Sequence, residues 1–178
     1  MHDALKRYLL LCMTVCAVMH YADAQPRSAG TSYSFSGIGI EYEHDLRKDC
    51  FINADIRAEM LALFMDRNHT PGISASFSCN FIIREWESRN SNVISLFAGP
   101  GVTVGLANEF RKDYGMFFGL KGRVGAECRF DRNVAVSICL NPILGSHLSI
   151  VDEVIEMSYY KNGLINTILP EIGIKYTF

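Results

Sequence analysis

A strict alternation of apolar and polar residues runs through most of the chain after Gln25 and limits the folds that the chain can adopt. In residues 73–83 every odd position is apolar, and small polar side chains fill the even positions up to Asn80. In residues 118–130 the even positions are apolar or small, whereas four of the odd positions are charged. Residues two apart lie on the same face of a β-strand. The chain is therefore predicted to be an all-β protein whose strands each have one apolar face.

The same alternation marks five further segments. The seven predicted strands are residues 37–43, 52–60, 73–83, 94–104, 118–130, 134–141 and 167–178. Segment 50–64 also has apolar residues at helical spacing, but four polar residues at strict alternation favour a strand. Residues 150–158 are interpreted as a short helical turn within a loop.

The predicted connections differ in length in a regular way. Short ones at 44–49, 85–91 and 131–133 alternate along the chain with generally longer ones at 65–71, 105–114 and 145–163. An antiparallel meander with short turns at one end and longer loops at the other produces this order. The predicted architecture is therefore an up-and-down arrangement of antiparallel strands.

The polar faces of the predicted strands contain a balanced set of charges. The acidic members are Glu41, Asp55, Glu59, Glu127 and Glu171, and the basic members are Arg57, Lys121, Arg123, Arg129 and Lys175. A soluble sandwich with a wet polar face also alternates, so alternation alone does not distinguish it from a barrel. A narrow barrel with a polar interior would need such a balance, because buried charges persist only when they are paired.

The barrel hypothesis assigns a direction to each side chain. Residues predicted to point outward include Ile56, Phe77, Val124, Ile138 and Ile174. Residues predicted to point inward include Asp55, Ser76, Arg123, Ser137 and Lys175. Trp86, Tyr114, Tyr159 and Tyr160 lie near predicted strand ends, where aromatic girdles form in membrane barrels.

The first residues have the order of a signal peptide. Lys6 and Arg7 precede an apolar stretch at residues 8–19, and small residues follow at Ala22 and Ala24. We expect cleavage before Gln25, so residues 1–24 are predicted to be a signal peptide and residues 25–178 the barrel domain. The residues before Cys12 and Cys16 are larger than lipoprotein processing favours, so ordinary export is expected.

Composition excludes two other classes of protein. No run reaches the roughly 18 to 20 apolar residues of a membrane-spanning helix. The 17 basic and 19 acidic residues give a net charge of −2 and are scattered, whereas a nucleic-acid-binding protein typically has a basic stripe. No nucleic-acid partner is predicted.

Residues with catalytic or metal-binding chemistry are sparse. None of the cysteines after Gln25 has metal or redox spacing, and we expect small buried hydrophobic residues at Cys50, Cys79, Cys128 and Cys139. The one constellation of catalytic residue types is His147, Ser149 and Glu153, in a predicted loop. No catalytic, cofactor-binding or metal-binding residue is assigned, and no cofactor is predicted.

The C-terminal half resembles a known architecture. Residues 173–178, which end at Phe178, are similar to the closing strand of Gram-negative outer-membrane β-barrels. A glycine-rich segment at 96–102, then 122–130 and 136–142, are similar in order to strands of small porin-like proteins of the OmpX and OmpW type. The resemblance covers about residues 34–178. It implies a transmembrane barrel of about eight strands, in contact with membrane lipids, that the barrel-assembly machinery recognises through Phe178.

The resemblance adds two expectations about the strands. Bacterial barrels have an even strand number, so an eighth strand is placed in residues 25–34 before a tight bend at Ser36-Gly37; otherwise residues 146–160 must supply it. Pro100 interrupts a predicted strand, so a bulge or kink is expected at Gly99-Pro100-Gly101. Cys128 also departs from the family, which tends to have Tyr there.

The leading functional hypothesis is a non-enzymatic outer-membrane barrel. Eight strands enclose a space just wide enough for side chains, so its lumen should be plugged by ion pairs. The role would be structural, adhesive or ligand binding through the loops, with the loop ligand unspecified. The alternatives are a lipid A deacylase-like enzyme that uses Ser149 and His147, a small porin, and a secreted soluble β-barrel that binds an apolar ligand.

Overall fold

The computed structural model describes residues 26–61, 71–87, 92–108, 114–130, 133–151 and 154–178. They form antiparallel strands and one short helix. The elements are β1 Arg27–Ser34, β2 Gly37–Arg47, β3 Cys50–Glu59, β4 Gly72–Glu87, β5 Val93–Asn108, β6 Tyr114–Phe130, β7 Val134–Leu140, β8 Ile143–Val151, β9 Val154–Tyr159, α1 Asn162–Ile165 and β10 Glu171–Thr177. No described helix is long and apolar enough to cross a membrane.

The strands close into an antiparallel barrel with eight positions in its wall. Strands β1 to β6 pair in chain order. Strands β7 and β8 pair with successive parts of β6 in one continuous register and fill the seventh position. Strand β9 pairs with β8, and β10 joins β7 to β1, so β9 and β10 share the eighth position. The predicted all-β, up-and-down barrel of about eight strands is confirmed.

The first strand closes the barrel. β1 spans Arg27–Ser34 and the turn at residues 35–36 follows it, which confirms the predicted strand and bend. Ser28 pairs with Thr177, and their hydroxyl oxygens are 2.9 Å apart. The backbone N–H of Phe178 donates to the carbonyl oxygen of Arg27 at 2.8 Å. The two ends of the barrel domain therefore meet at one rim.

The two rims are formed by different strand ends. The terminal rim contains Arg27, Phe178, the turn at 48–49, the end of β4, the start of β5, the end of β6 and the start of β7. The loop rim contains the turn at 35–36, the end of β3, the start of β4, the end of β5, the start of β6, the end of β8 and the start of β9. Wall height also differs around the barrel, because β1 has 8 residues and β6 has 17.

The prediction for residues 145–163 is wrong. Instead of a long loop with a helical turn at 150–158, the chain forms a hairpin of β8 and β9, and α1 begins only at Asn162. Adjacent apolar residues on both sides of the turn, at 150–151 and 154–155, imitate helical spacing and interrupt the alternation. The hairpin is part of the wall because β8 pairs with β6.

No register shift marks the bulge that was expected at Gly99-Pro100-Gly101. Pro100 remains in register opposite Gly122 of β6. On the β4 side the paired residues stop at Ser78 opposite Gly101 and resume at Phe81 opposite Ala98 in the same register. The interruption lies beside the proline, which lacks an N–H group. The register shift in β4 instead lies between Ile82 and Arg84.

Candidate functional site

The two faces of the wall have opposite chemistry. Predicted outward residues are about half exposed, from 48% for Phe77 to 57% for Ile174. The predicted inward residues Asp55, Arg123, Ser137 and Lys175 are buried, and Ser76 is partly buried. The predicted directions are confirmed. Apolar side chains thus cover the outside of the barrel, and polar side chains fill the inside.

The interior contains a dense group of buried charges. Nine of the ten charged residues predicted for the interior are buried, and Arg129 is partly exposed. The buried charged residues are Glu41, Glu43, Asp55, Arg57, Glu59, Lys121, Arg123, Glu127, Glu171 and Lys175. Glu43 is missing from the predicted set, although its position two residues after Glu41 on β2 is the signal for the same face.

Arg123 and Lys175 form the centre of one ion-pair network. Arg123 Nη2 lies 2.9 Å from Glu41 Oε2 and 3.4 Å from Glu43 Oε1. Lys175 Nζ donates to Glu43 Oε2 at 2.7 Å and also contacts Glu127. These charges come from strands that are distant in sequence, so the network joins opposite sides of the wall.

A second network lies nearer the loop rim. Lys121 Nζ donates to Asp55 Oδ2 at 2.7 Å, and Arg57 pairs with Glu171. The Ser74 hydroxyl donates to Glu59 Oε1 at 2.6 Å. All of these side chains except Glu171 lie on β3, β4 and β6, where the predicted alternation placed them.

An apolar cluster lies inside each end of the barrel. Towards the terminal rim, Phe51 and Phe97 pack edge to face with ring centroids 5.3 Å apart, and Cys139 joins them. The guanidinium carbon of Arg123 lies 5.5 Å from the Phe97 ring centroid. Towards the loop rim, Phe117 and Tyr160 stack at 4.3 Å. The charged networks are therefore bounded by aromatic rings on both sides.

The segment between β9 and β10 enters the barrel at the loop rim. The backbone N–H of Tyr160 donates to Gly145 at 2.9 Å, and Asn162 Nδ2 donates to the Asn108 carbonyl at 3.0 Å. Tyr160 is 1% exposed, so its predicted place in an outer aromatic girdle is wrong. Trp86, Tyr114 and Tyr159 are 40–45% exposed near strand ends, in agreement with that prediction.

The structure separates the catalytic residue types from the outer surface. His147 and Ser149 lie on β8, not in the predicted loop, and are 0% and 3% exposed inside the barrel. His147 Nε2 is 3.1 Å from the Ala107 carbonyl oxygen, and Ser149 is opposite Glu156 in register. Glu153 lies outside the described residues. Among the residues that the structure describes, no cluster of His, Cys, Asp or Glu could hold a metal ion.

The expectation that all four cysteines are buried is wrong for three of them. Cys139 is buried, but Cys50, Cys79 and Cys128 are partly exposed. These three occupy outward positions, where the small apolar thiol faces the same environment as the neighbouring Ile, Val and Phe side chains. The direction of Cys79 and Cys128 agrees with the predicted apolar faces, whereas the expected burial does not hold for them.

No family model and no curated protein matches the sequence. Solved structures with similarity include the N-terminal β-barrel domain of Pseudomonas aeruginosa OprF, with a TM-score of 0.48 and 11% identity over 86% of this chain and 96% of that chain. A major outer membrane protein from Thermus thermophilus has a TM-score of 0.49 and 8% identity over 87% and 100%. Neisserial surface protein A has a TM-score of 0.41 and 10% identity over 86% and 94%. The chain is thus similar to solved outer-membrane barrels.

Proposed function

We propose that the protein is exported and spans the outer membrane as a barrel. The observation that supports this is the inverted distribution of side chains. Among the described residues, 37 large apolar side chains are exposed, whereas nine hydrophobic residues are buried. A fully exposed side chain of this kind costs about 1.5–3 kcal/mol when it is left in water instead of an apolar medium, and these side chains are 37–79% exposed. Lipid around the barrel removes that cost. Because β1 pairs with β10, the wall closes at this seam and leaves no unpaired strand edge there.

We further propose that the lumen is plugged and that the barrel is not a solute channel. The paired charges of the interior and the aromatic clusters at both ends support this function. A dry ion pair is stable only when each charge keeps its partner, so a continuous water path through the networks would conflict with the observed burial of Arg123 and Lys175. The role is then structural, adhesive or ligand binding at the loop rim, and the protein is not an enzyme.

The C-terminal strand is the proposed contact with the barrel-assembly machinery. Phe178 follows β10 directly and is 67% exposed, and its backbone closes the seam with Arg27. An exposed aromatic ring at the end of the closing strand is available to a partner before the seam forms. Membrane lipids are the other proposed partner, through the outward apolar face.

Planar-bilayer conductance tests the plugged lumen. The barrel is taken from the outer-membrane fraction and must show heat-modifiable gel migration, which reports closure of the wall. We expect no steady conductance of the size that a solute channel produces, because the side chains of the charged networks fill the lumen. A general porin reconstituted in parallel is the positive control, and heated protein is the negative control.

A steady conductance from the folded form would contradict the plugged lumen and would show that the protein is a small porin. If lipid A instead lost an acyl chain and the loss required both Ser149 and His147, the enzyme hypothesis would hold. A folded barrel found in the soluble secreted fraction would support the apolar-ligand binder.

The export proposal predicts a mature N-terminus at Gln25. Mass spectrometry of protein from the outer-membrane fraction should find residues 1–24 removed. Replacement of the small residue at the cleavage site, Ala24→Trp, should make the precursor accumulate, because signal peptidase requires a small side chain there. Ala24→Ser is the matched control and should be processed normally. An intact N-terminus or lipid on Cys12 would contradict the prediction.

A further inference from the structure

Two cysteine side chains meet on the outer face of neighbouring strands. Cys50 begins β3 and Cys79 lies in β4, and their sulfur atoms are 3.5 Å apart. In the pairing register Cys50 is opposite Phe81 and Cys79 is opposite Ile52, so the cysteines are diagonal neighbours. The right-handed twist of paired strands shortens one of the two diagonals. The sulfur contact identifies this diagonal as the shortened one.

The backbone at Cys50 is placed where a strand can adjust. Cys50 directly follows the two-residue turn at 48–49, and a register irregularity lies between Asp45 and Arg47 on the partner strand β2. A disulfide has a sulfur–sulfur distance of about 2.05 Å, so the two sulfur atoms must approach by about 1.5 Å. Side-chain rotation together with a small shift at the start of β3 can supply that movement.

The other two cysteines cannot pair with each other. Cys128 is on β6 and faces outward, whereas Cys139 is on the adjacent β7 and is buried inside the barrel. The wall separates them, although their strands are paired. Cys128 and Cys139 therefore serve as an internal control, because they meet the same oxidants during export but cannot pair with each other.

We propose that Cys50 and Cys79 form a disulfide bond in the exported protein. The inference rests on the proposed function, because the compartment between the two membranes is oxidising and the cytosol is not. The oxidant is a disulfide of an exported dithiol oxidoreductase. The Cys50 thiolate attacks that disulfide, forms a mixed disulfide and releases one thiolate of the oxidant. The Cys79 thiolate then attacks the Cys50 sulfur and releases the second, so the oxidant takes up two electrons and both protons.

The bond would form before the outer face enters lipid, because the oxidant reaches thiols only from water. It would then join β3 to β4 across the connection at 60–71 and fix the register of that hairpin during insertion. Once inserted, the bond would lie on the outer face of the wall beside the terminal rim.

Thiol counting on the full chain, produced with its own N-terminal segment, tests the proposal. Protein from the outer-membrane fraction is denatured without reductant, alkylated with N-ethylmaleimide and mapped by mass spectrometry. Alkylation of Cys128 and Cys139 alone is expected, with a linked Cys50–Cys79 peptide pair about 2 Da lighter than the two reduced peptides together. Alkylation of all four cysteines in the folded, outer-membrane form would overturn the proposal.

Single variants check the pairing. Cys50→Ser and Cys79→Ser should each leave three alkylated cysteines, whereas Cys128→Ser should leave one and keep the linked peptides. If Cys50→Ser removed only the Cys50 peptide and left the alkylation of Cys79 as it is in the unsubstituted protein, the pairing would be wrong.

Failure of export is distinguishable from failure of the disulfide. If fractionation finds the protein elsewhere, the proposed location fails. The chain purified from that fraction is then refolded in detergent and oxidised with glutathione disulfide. Linked Cys50 and Cys79 peptides would support the geometric part of the inference, and glutathione on separate cysteines would overturn it.

Discussion

The substitution Val124→Arg is expected to lower the free energy of unfolding by about 2–4 kcal/mol, the cost of an arginine near the bilayer midplane. Val124 lies within β6 and is 52% exposed on the apolar outer face. The measurement is the fraction of folded, heat-modifiable protein over a urea series in lipid vesicles. The membrane-assembled yield in cells should fall in the same direction.

Two controls separate the effect of the charge from the effects of side-chain shape and of depth in the membrane. Val124→Leu keeps an apolar side chain at the same position and should change stability little. Leu46→Arg places the same charge at the end of β2 that lies at the terminal rim, near the turn at 48–49. Near an interface the cost falls to about 0–1 kcal/mol. Equal tolerance of arginine at both positions would indicate that water, not lipid, surrounds the barrel.

Arg123→Ala is expected to have an effect of similar size from inside the barrel. Arg123 is 1% exposed and pairs with Glu41 and Glu43. Removing one partner of a buried ion pair costs about 3–5 kcal/mol, because the remaining charge stays buried without compensation. The loss of packing against Phe97 adds to the effect. Urea unfolding of the refolded barrel measures the change.

The matched control for Arg123→Ala is Arg129→Ala. Arg129 lies on the same strand and face and pairs with Glu127 at 3.2 Å, but a third of its side chain is exposed. Exposed pairs contribute about 0–1 kcal/mol, so its loss should be much smaller. Adding Glu41→Gln to Arg123→Ala should recover part of the stability. If both arginine variants were equally stable, the interior would be hydrated.

The alternation of the sequence was sufficient to predict the strands and the side of the sheet on which each residue lies, and the balanced charges of the polar faces added the barrel. Period two fixes both the strand and the face, so residues such as Asp55, Arg123 and Lys175 were assigned correctly without knowledge of their partners. The partners themselves were not predictable. Lys175 meets Glu43 from a distant part of the chain, and that contact depends on the register in which the wall closes.

The failures occurred where the chain departs from simple alternation. The β8–β9 hairpin was hidden by adjacent apolar residues around its turn, and Tyr160 was placed outside because strand ends usually present aromatic rings to the interface. The register shift at Ile82 and Arg84 has no signal in residue type, whereas Pro100 has one but keeps its register. Residue type therefore predicted where the strands lie better than it predicted where their pairing is irregular.

The unequal wall height of the barrel affects the proposed bilayer around it. Strand β6 has 17 residues and apolar outward positions from Tyr114 to Phe130, whereas β1 has 8 residues. At a tilt of about 40°, these lengths correspond to rises of about 43 Å and 20 Å, against an apolar band of about 25 Å in such barrels. No flat slab of uniform thickness matches both sides. If the barrel spans the outer membrane as proposed, the two wall heights would be matched either by a local thickening of the bilayer next to β6 or by an inclination of the barrel axis.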